Sequence, residues 1–168
     1  HAFGVDTWTK VGYNTLNTPT IWKNTGAVTI HGVLPGQVSL HPGRLSWGDF
    51  TILRFTAPQT ASYLVSGQFY AGDTGRMSGA IVLNREMSDP LQFFANTTDA
   101  SIFDVGGALA LSAGDTLDFV VGNNGVFYYG NTPVLVTISA VVSEPGIFGL
   151  LLPAFAGLCL AARRRRFR

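Results

Sequence analysis

Short runs in which apolar and polar residues alternate dominate the chain, and this pattern restricts its fold more than any other feature. In residues 62–70, for example, Tyr63, Val65 and Phe69 fall on one face and polar residues fall mainly on the other. A period of two places successive side chains on opposite faces of a strand, so such runs predict strands with one buried face. The runs that predict strands are 27–34, 37–41, 51–56, 62–70, 79–84, 91–95, 101–111, 116–122 and 134–142.

Turn-forming residues separate these runs, and the chain contains 20 glycines and 8 prolines. Short strands at this regular spacing are typical of an antiparallel β-sandwich made of two sheets. The long connections at residues 71–78, 85–90 and 122–133 favour a jelly roll over a meander barrel. We therefore expect one all-β jelly-roll domain over residues 1–142, large enough to fold alone.

A different pattern covers residues 143–168. Residues 147–162 contain no charge, and a helix of that length rises about 24 Å, against about 30 Å for the hydrocarbon core of a bilayer. Flanking arginines reach the interface and reduce this mismatch, whereas a buried core helix would need a polar face that this run lacks. The run therefore predicts a single C-terminal transmembrane helix, followed by a basic cluster (163–168) on the cytoplasmic side. Its first four residues are Arg163, Arg164, Arg165 and Arg166.

The charges are divided unevenly between these two regions. Residues 1–142 hold six Lys and Arg residues against nine Asp and Glu residues, a net charge of −3, whereas the tail carries +4. A mildly acidic body does not offer the basic surface that nucleic acids require, so we expect no nucleic-acid partner. The single cysteine excludes a disulfide framework and a cysteine-based zinc site.

The order of features in the tail resembles a known sorting signal. The four residues before the apolar run are Ser143, Glu144, Pro145 and Gly146. A proline motif, an apolar span and a terminal arginine cluster resemble the PEP-CTERM signal of exosortase substrates in Gram-negative bacteria, with Ser143 in place of the first proline. The resemblance implies export, a transient anchor in the inner membrane and cleavage near the motif by an exosortase. The body would then reach the cell surface or the extracellular matrix.

Several motifs of the body resemble a domain that recurs in PEP-CTERM proteins. They are residues 21–26, 37–43, 53–58, 111–115 and 118–122. Residues 53–58 with the strand that follows, and the Ala-Gly-Asp turn at 113–115, also resemble jelly rolls of the C1q/TNF type. Similarity to a C1q/TNF domain or to a carbohydrate-binding module implies the fold, and the former also implies a homo-oligomer. It implies no single activity, because sandwiches host many functions.

Aromatic and asparagine residues cluster in segment 122–131. Aromatic rings outside a core can stack on the apolar faces of sugars, while neighbouring amides hydrogen-bond the hydroxyl groups. The alternative is that these rings cap the ends of the sandwich, which is their commoner use, and Trp22 especially suits a core position. The residues predicted to bind a glycan are Tyr128, Tyr129, Asn123, Asn124, Asn131 and Trp47.

No group of residues indicates catalysis. The serine in residues 75–79 lacks the spacing of a nucleophile elbow, and the many aspartates single out no pair for glycoside hydrolysis. His31 and His41 lack the spacing of metal ligands. We expect no cofactor, with a structural calcium ion near Asp73, Asp115 or Asp118 as a weak alternative.

Three functions remain open at this point. The first is an exported, exosortase-processed surface or matrix protein, not an enzyme, whose jelly roll binds a glycan or exopolysaccharide. The second is a structural or self-assembling β module of the envelope or matrix, with no small ligand. An enzyme that acts on polysaccharide is a third and weaker hypothesis.

Overall fold

The computed structural model describes residues 5–9, 18–45, 48–98 and 100–141. In these residues the chain forms no helix and eleven strands. None of the described segments is a helix that is long and apolar enough to cross a membrane. The sorting motif, the apolar run and the arginine cluster lie outside the described residues. The strands are β1 (Val5–Thr9), β2 (Thr20–Asn24), β3 (Val38–His41), β4 (Thr51–Thr56), β5 (Ala61–Phe69), β6 (Ser78–Leu83), β7 (Gln92–Phe94), β8 (Ser101–Asp104), β9 (Leu109–Leu111), β10 (Thr116–Gly122) and β11 (Thr132–Ala140).

The strands form two antiparallel sheets. One sheet has seven strands in the order β1-β2-β3-β11-β5-β8, with β9 also paired to β5, and the other has the order β4-β10-β6-β7. From β3 onward the chain passes repeatedly from one sheet to the other, and it crosses from β9 to β10 and from β10 to β11. This order is that of a jelly roll, so the predicted antiparallel sandwich is confirmed.

The core lies between the inner faces of the two sheets. Its centre is a chain of aromatic rings, in which the Phe69 and Phe103 centroids are 5.4 Å apart and those of Phe103 and Phe119 are 5.6 Å apart. All three rings are almost fully buried. Leu117 and Val121 point inward from the same strand as Phe119, as the alternation in residues 116–122 predicts.

An ion pair lies on the outer face of the four-stranded sheet. Asp118 on β10 and Arg54 on β4 are direct neighbours. The Arg54 guanidinium nitrogens Nε and Nη2 donate to Asp118 Oδ1 and Oδ2, each at 2.6 Å. This bidentate hydrogen bond raises the pKa of Arg54 above its usual value. Asp118 is only 2% exposed, so Arg54 neutralises a buried charge on a surface that the alternation alone assigns to solvent.

Arg54→Ala is expected to lower the free energy of unfolding by about 2 kcal/mol, because it leaves the Asp118 carboxylate buried without its partner. The cost falls below that of a fully buried pair because one third of Arg54 is exposed. Urea denaturation of the variant measures it. The double variant Arg54→Ala/Asp118→Asn removes the buried charge and is expected to recover part of the loss. A single variant as stable as the original protein would contradict this account.

Two predicted strands are wrong in extent. Residues 27–34 form only an isolated bridge between Ile30 and Val33, because His31 and Gly32 adopt positive φ angles and turn the chain. Residues 101–111 form two strands, since Gly106 and Gly107 also have positive φ and interrupt the run.

Candidate functional site

A cleft of about 420 Å³ lies where the β5–β6 loop meets the β10–β11 loop. We call it the tyrosine cleft. It brings together three of the predicted glycan-binding residues, Asn124, Tyr128 and Tyr129. Thr74, Arg76 and Asn96 line the same cleft and are residues that the sequence pattern did not single out.

The two tyrosines expose most of their surface. Tyr128 is 57% exposed and Tyr129 is 64% exposed. Tyr128 is supported from behind by the buried ring of Phe127, whose centroid lies 4.2 Å from its own at an angle of 37°. The Phe127 ring in turn meets His41 edge-on at 6.4 Å. A supported ring keeps its outward face available for a flat apolar partner.

The ring of His41 lies beside Phe127 under this loop. Burial lowers the pKa of His41 below its usual value, and the hydrogen bond between its Nδ1 and the carbonyl oxygen of Pro42 (2.8 Å) opposes this shift only in part. Its edge contact with Phe127 gives this histidine a packing role in the loop.

Backbone hydrogen bonds join the two loops that form the cleft. The amide nitrogens of Tyr70, Asp73 and Gly75 donate to the carbonyl oxygens of Pro133, Asn131 and Tyr129 at 2.8, 3.2 and 2.9 Å. A side chain at position 75 would not fit, since its Cβ would lie 2.5 Å from the Tyr129 carbonyl oxygen. The close approach of the two backbones therefore holds the loop backbone that carries Tyr129 against the β5–β6 loop.

Polar groups occupy the other side of the cleft. The Asn124 amide donates to the Ala95 carbonyl oxygen at 2.9 Å and to Asn96 Oδ1 at 3.0 Å, which joins the β7–β8 loop to the β10–β11 loop. Arg76 is exposed and forms no ion pair with any residue in the described ranges. The cleft thus combines two rings with amide groups and one guanidinium group.

Two of the other predicted binding residues hydrogen-bond within the protein away from this cleft. Asn131 Oδ1 accepts a hydrogen bond of 2.9 Å from Trp22 Nε1, so this amide holds a buried tryptophan in place. Asn123 is buried and donates to the carbonyl oxygens of Gly43 (3.3 Å) and Arg44 (2.9 Å). Trp47 lies outside the described residues. Trp22 is buried, in agreement with the alternative that it occupies a core position.

Asn131→Ala is expected to reduce the free energy of unfolding by about 1–2 kcal/mol, because it leaves the buried Trp22 indole without its acceptor. Thermal or urea denaturation measures this change. The matched variant Asn124→Ala removes an amide whose hydrogen bonds are exposed and is expected to cost less. Equal losses in the two variants would contradict a structural role for Asn131.

The three aspartates suggested for calcium have other partners. Asp118 pairs with Arg54, and the Asp115 carboxylate accepts hydrogen bonds from Asn84 Nδ2 and from the Ser112 amide. Asp73 accepts a hydrogen bond from the Thr74 amide, and its carboxylate lies 4.0 Å from His31. Within the described ranges, no group of three or more His, Cys, Asp and Glu side chains is arranged to hold a metal ion.

A second cavity, of about 350 Å³, lies on the outer face of the four-stranded sheet. We call it the sheet-face cavity. In this sheet Ala80 on β6 lies between Phe93 on β7 and Val120 on β10. The small side chain of Ala80 leaves space between these two larger neighbours. Met87 and Pro90 from the β6–β7 loop border this space, and Asn123 and Asn124 line it as well. The sequence pattern did not predict this cavity. The alternation in the run 91–95 is the signal that could have placed Phe93 on the outer face of its strand.

Comparison with known proteins gives no assignment to a family. No family model matches the chain, and no curated protein matches it. Among solved structures it is similar to a GH26-CBM35 β-(1,4)-mannanase of Podospora anserina, with 20% identity and a TM-score of 0.44 over 86% of this chain and 29% of the mannanase. It is also similar to rabbit GITRL, with 16% identity and a TM-score of 0.38 over 67% of this chain and 91% of that one. The chain thus spans less than a third of the mannanase, and at these TM-scores the fold rests on the strand order described above.

Proposed function

We propose that the jelly roll is a non-catalytic module that binds a glycan or exopolysaccharide at the tyrosine cleft. The observation that carries the proposal is the pair of exposed rings, Tyr128 and Tyr129, held by a rigid loop beside amide and guanidinium groups. Binding sites commonly combine an apolar surface with a few polar groups that fix orientation, and this cleft has both.

The chemistry of such a site is stacking combined with hydrogen bonding. A pyranose ring has faces of C–H groups that pack against a tyrosine ring, and its hydroxyl groups lie at the edge, where Asn96 and Asn124 offer donors and acceptors. The planar guanidinium group of Arg76 adds donors that bind a carboxylate or several hydroxyl oxygens of a sugar. Because Phe127 already supports the Tyr128 ring and hydrogen bonds hold the loop backbone, less conformational entropy is lost on binding.

The proposal is tested by the binding of the purified protein to a broad panel of polysaccharides. We expect specific binding to at least one of them, and equal binding with calcium and with a chelator. Absence of binding to the whole panel would contradict the proposal.

We also propose that the tail acts as a sorting signal, with an exosortase and the inner membrane as its partners in a Gram-negative host. The mature protein would then end near Glu144 and Pro145, free of the apolar run and of the arginines. Intact mass spectrometry of the protein from exosortase-containing cells is expected to give this shortened mass. Protein that retains Arg168 in such cells would contradict the proposal.

Self-assembly of a structural β module is a second candidate function, and one feature of the larger sheet favours it. Leu135 and Ile102 flank Gln68 on the outer face of β11, β5 and β8, and Leu64 lies on the same face. All three apolar side chains are more than half exposed. Light scattering of the purified protein separates a monomer from an oligomer.

A further inference from the structure

Arg76 is the one charged residue among the described residues that line the tyrosine cleft. Its side chain is exposed, and it forms no ion pair with any residue in the described ranges. The nearby carboxylate of Asp73 is engaged within its own loop, since it accepts a hydrogen bond from the Thr74 amide and lies 4.0 Å from His31. The cleft therefore presents a positive charge that no described side chain neutralises.

The backbone on both sides of Arg76 is tied to the loops that carry the other lining residues. On one side, the Gly75 amide donates to the Tyr129 carbonyl oxygen at 2.9 Å. On the other side, the carbonyl oxygen of the fully buried Met77 accepts from the Thr97 amide at 2.7 Å. Arg76 is thus anchored between the loop of the two tyrosines and the β7–β8 loop.

The amide groups of the cleft add a second free donor. Asn124 Nδ2 donates to the Ala95 carbonyl oxygen at 2.9 Å, and because a carbonyl only accepts, the orientation of the Asn124 amide is fixed. Its other hydrogen bond, of 3.0 Å, needs an acceptor too, which fixes the Asn96 amide with Oδ1 toward Asn124. Asn96 Nδ2 then donates to no residue that the structure describes. A guanidinium group and an amide donor together suit a ligand group that only accepts hydrogen bonds.

We infer that the tyrosine cleft binds a uronic acid unit of an acidic polysaccharide, with the sugar carboxylate on Arg76. This inference rests on the proposed function and specifies its class of sugar. A carboxylate only accepts hydrogen bonds, and its two oxygens match the planar donors of a guanidinium group. In a uronic acid the carboxylate is attached directly to the pyranose ring. A ring that stacks on Tyr128 or Tyr129 therefore carries its carboxylate at its edge, and Arg76 and Asn96 line the same cleft.

Discrimination against neutral sugars follows from the same arrangement. A hexose with a CH₂OH group in place of the carboxylate keeps the stacking contact but gives up a charge-assisted hydrogen bond, which is stronger than a neutral one. Because Arg76 is exposed, salt screens its attraction for the carboxylate. The preference for the acidic sugar is therefore expected to decrease as the salt concentration rises.

The test compares acidic oligosaccharides with their own carboxyl-reduced forms, which differ only in CH₂OH groups in place of carboxylates. Oligosaccharides of galacturonate, mannuronate and glucuronate are titrated into the purified protein by calorimetry, with a chelator present and at low and high salt. At low salt, at least one of them is expected to bind about tenfold more tightly than its reduced form, and high salt is expected to narrow this difference. No preference in any of the three pairs would overturn the inference.

Arg76→Gln is the variant for this test, because it keeps an amide donor and removes the charge. It is expected to abolish the preference for the acidic form and to leave the binding of the reduced form nearly unchanged. Arg85→Gln makes the same change of charge at an exposed arginine that does not line the cleft, and it is expected to retain the preference. A preference that survives Arg76→Gln, or that Arg85→Gln lowers equally, would overturn the inference. Glycan binding that requires the two tyrosines but shows no preference for the acidic form would overturn it too, and would leave the proposed function standing.

Discussion

Gly67→Ala is expected to lower the free energy of unfolding by about 3 kcal/mol, because the core has no space for the added methyl group. Gly67 lies on the inner face of β5, opposite Val136 and Phe103 on the neighbouring strands. A Cβ at this position would collide with the Leu135 carbonyl oxygen and lie 2.5 Å from Phe103 Cζ. The Phe103 ring packs against both Phe69 and Phe119, so it cannot move without disturbing the centre of the core.

Urea denaturation of Gly67→Ala and of Ser66→Ala tests this account. Ser66 is the preceding residue on the same strand, and its exposed side chain faces outward, so its substitution is expected to change the stability by no more than about 0.5 kcal/mol. Similar stabilities for the two variants would show that the core adapts, and would contradict the tight packing of Phe103 described above.

Much of the fold could be predicted from residue periodicity, because most strands have one buried face. The strands at residues 51–56 and 116–122 have the predicted bounds, and the alternation of Tyr63, Val65 and Phe69 matches their burial. β1 and β2 were not predicted as strands. Each has five residues, and β1 is an edge strand that pairs with β2, which in turn pairs with β3, so their short patterns gave little signal.

The candidate site was predicted less completely, because its geometry depends on contacts between distant segments. Asn131 lies in the expected loop, yet its amide binds Trp22, 109 residues earlier in the chain. The exposure of Tyr128 and Tyr129 agrees with their position in a loop, but Arg76 joins them only because the β5–β6 loop pairs with the β10–β11 loop. Neither partnership leaves a trace in local sequence.

The central claim is that the two tyrosines bind the glycan. Once the panel identifies a ligand, the double variant Tyr128→Ala/Tyr129→Ala is expected to bind it at least about thirtyfold more weakly, because exposed aromatic anchors carry much of the energy of such contacts. Both side chains are more than half exposed, so the variant is expected to stay folded and to lose at most the packing of Tyr128 on Phe127.

The measurement is a calorimetric titration of that glycan into the original protein, the double tyrosine variant and Trp8→Ala. Trp8 is an exposed aromatic residue on β1 of the seven-stranded sheet and does not line the tyrosine cleft, which makes it the matched control. The account predicts that the tyrosine variant loses affinity while Trp8→Ala binds as the original protein does. Unchanged affinity of the tyrosine variant, with its fold intact, would contradict it.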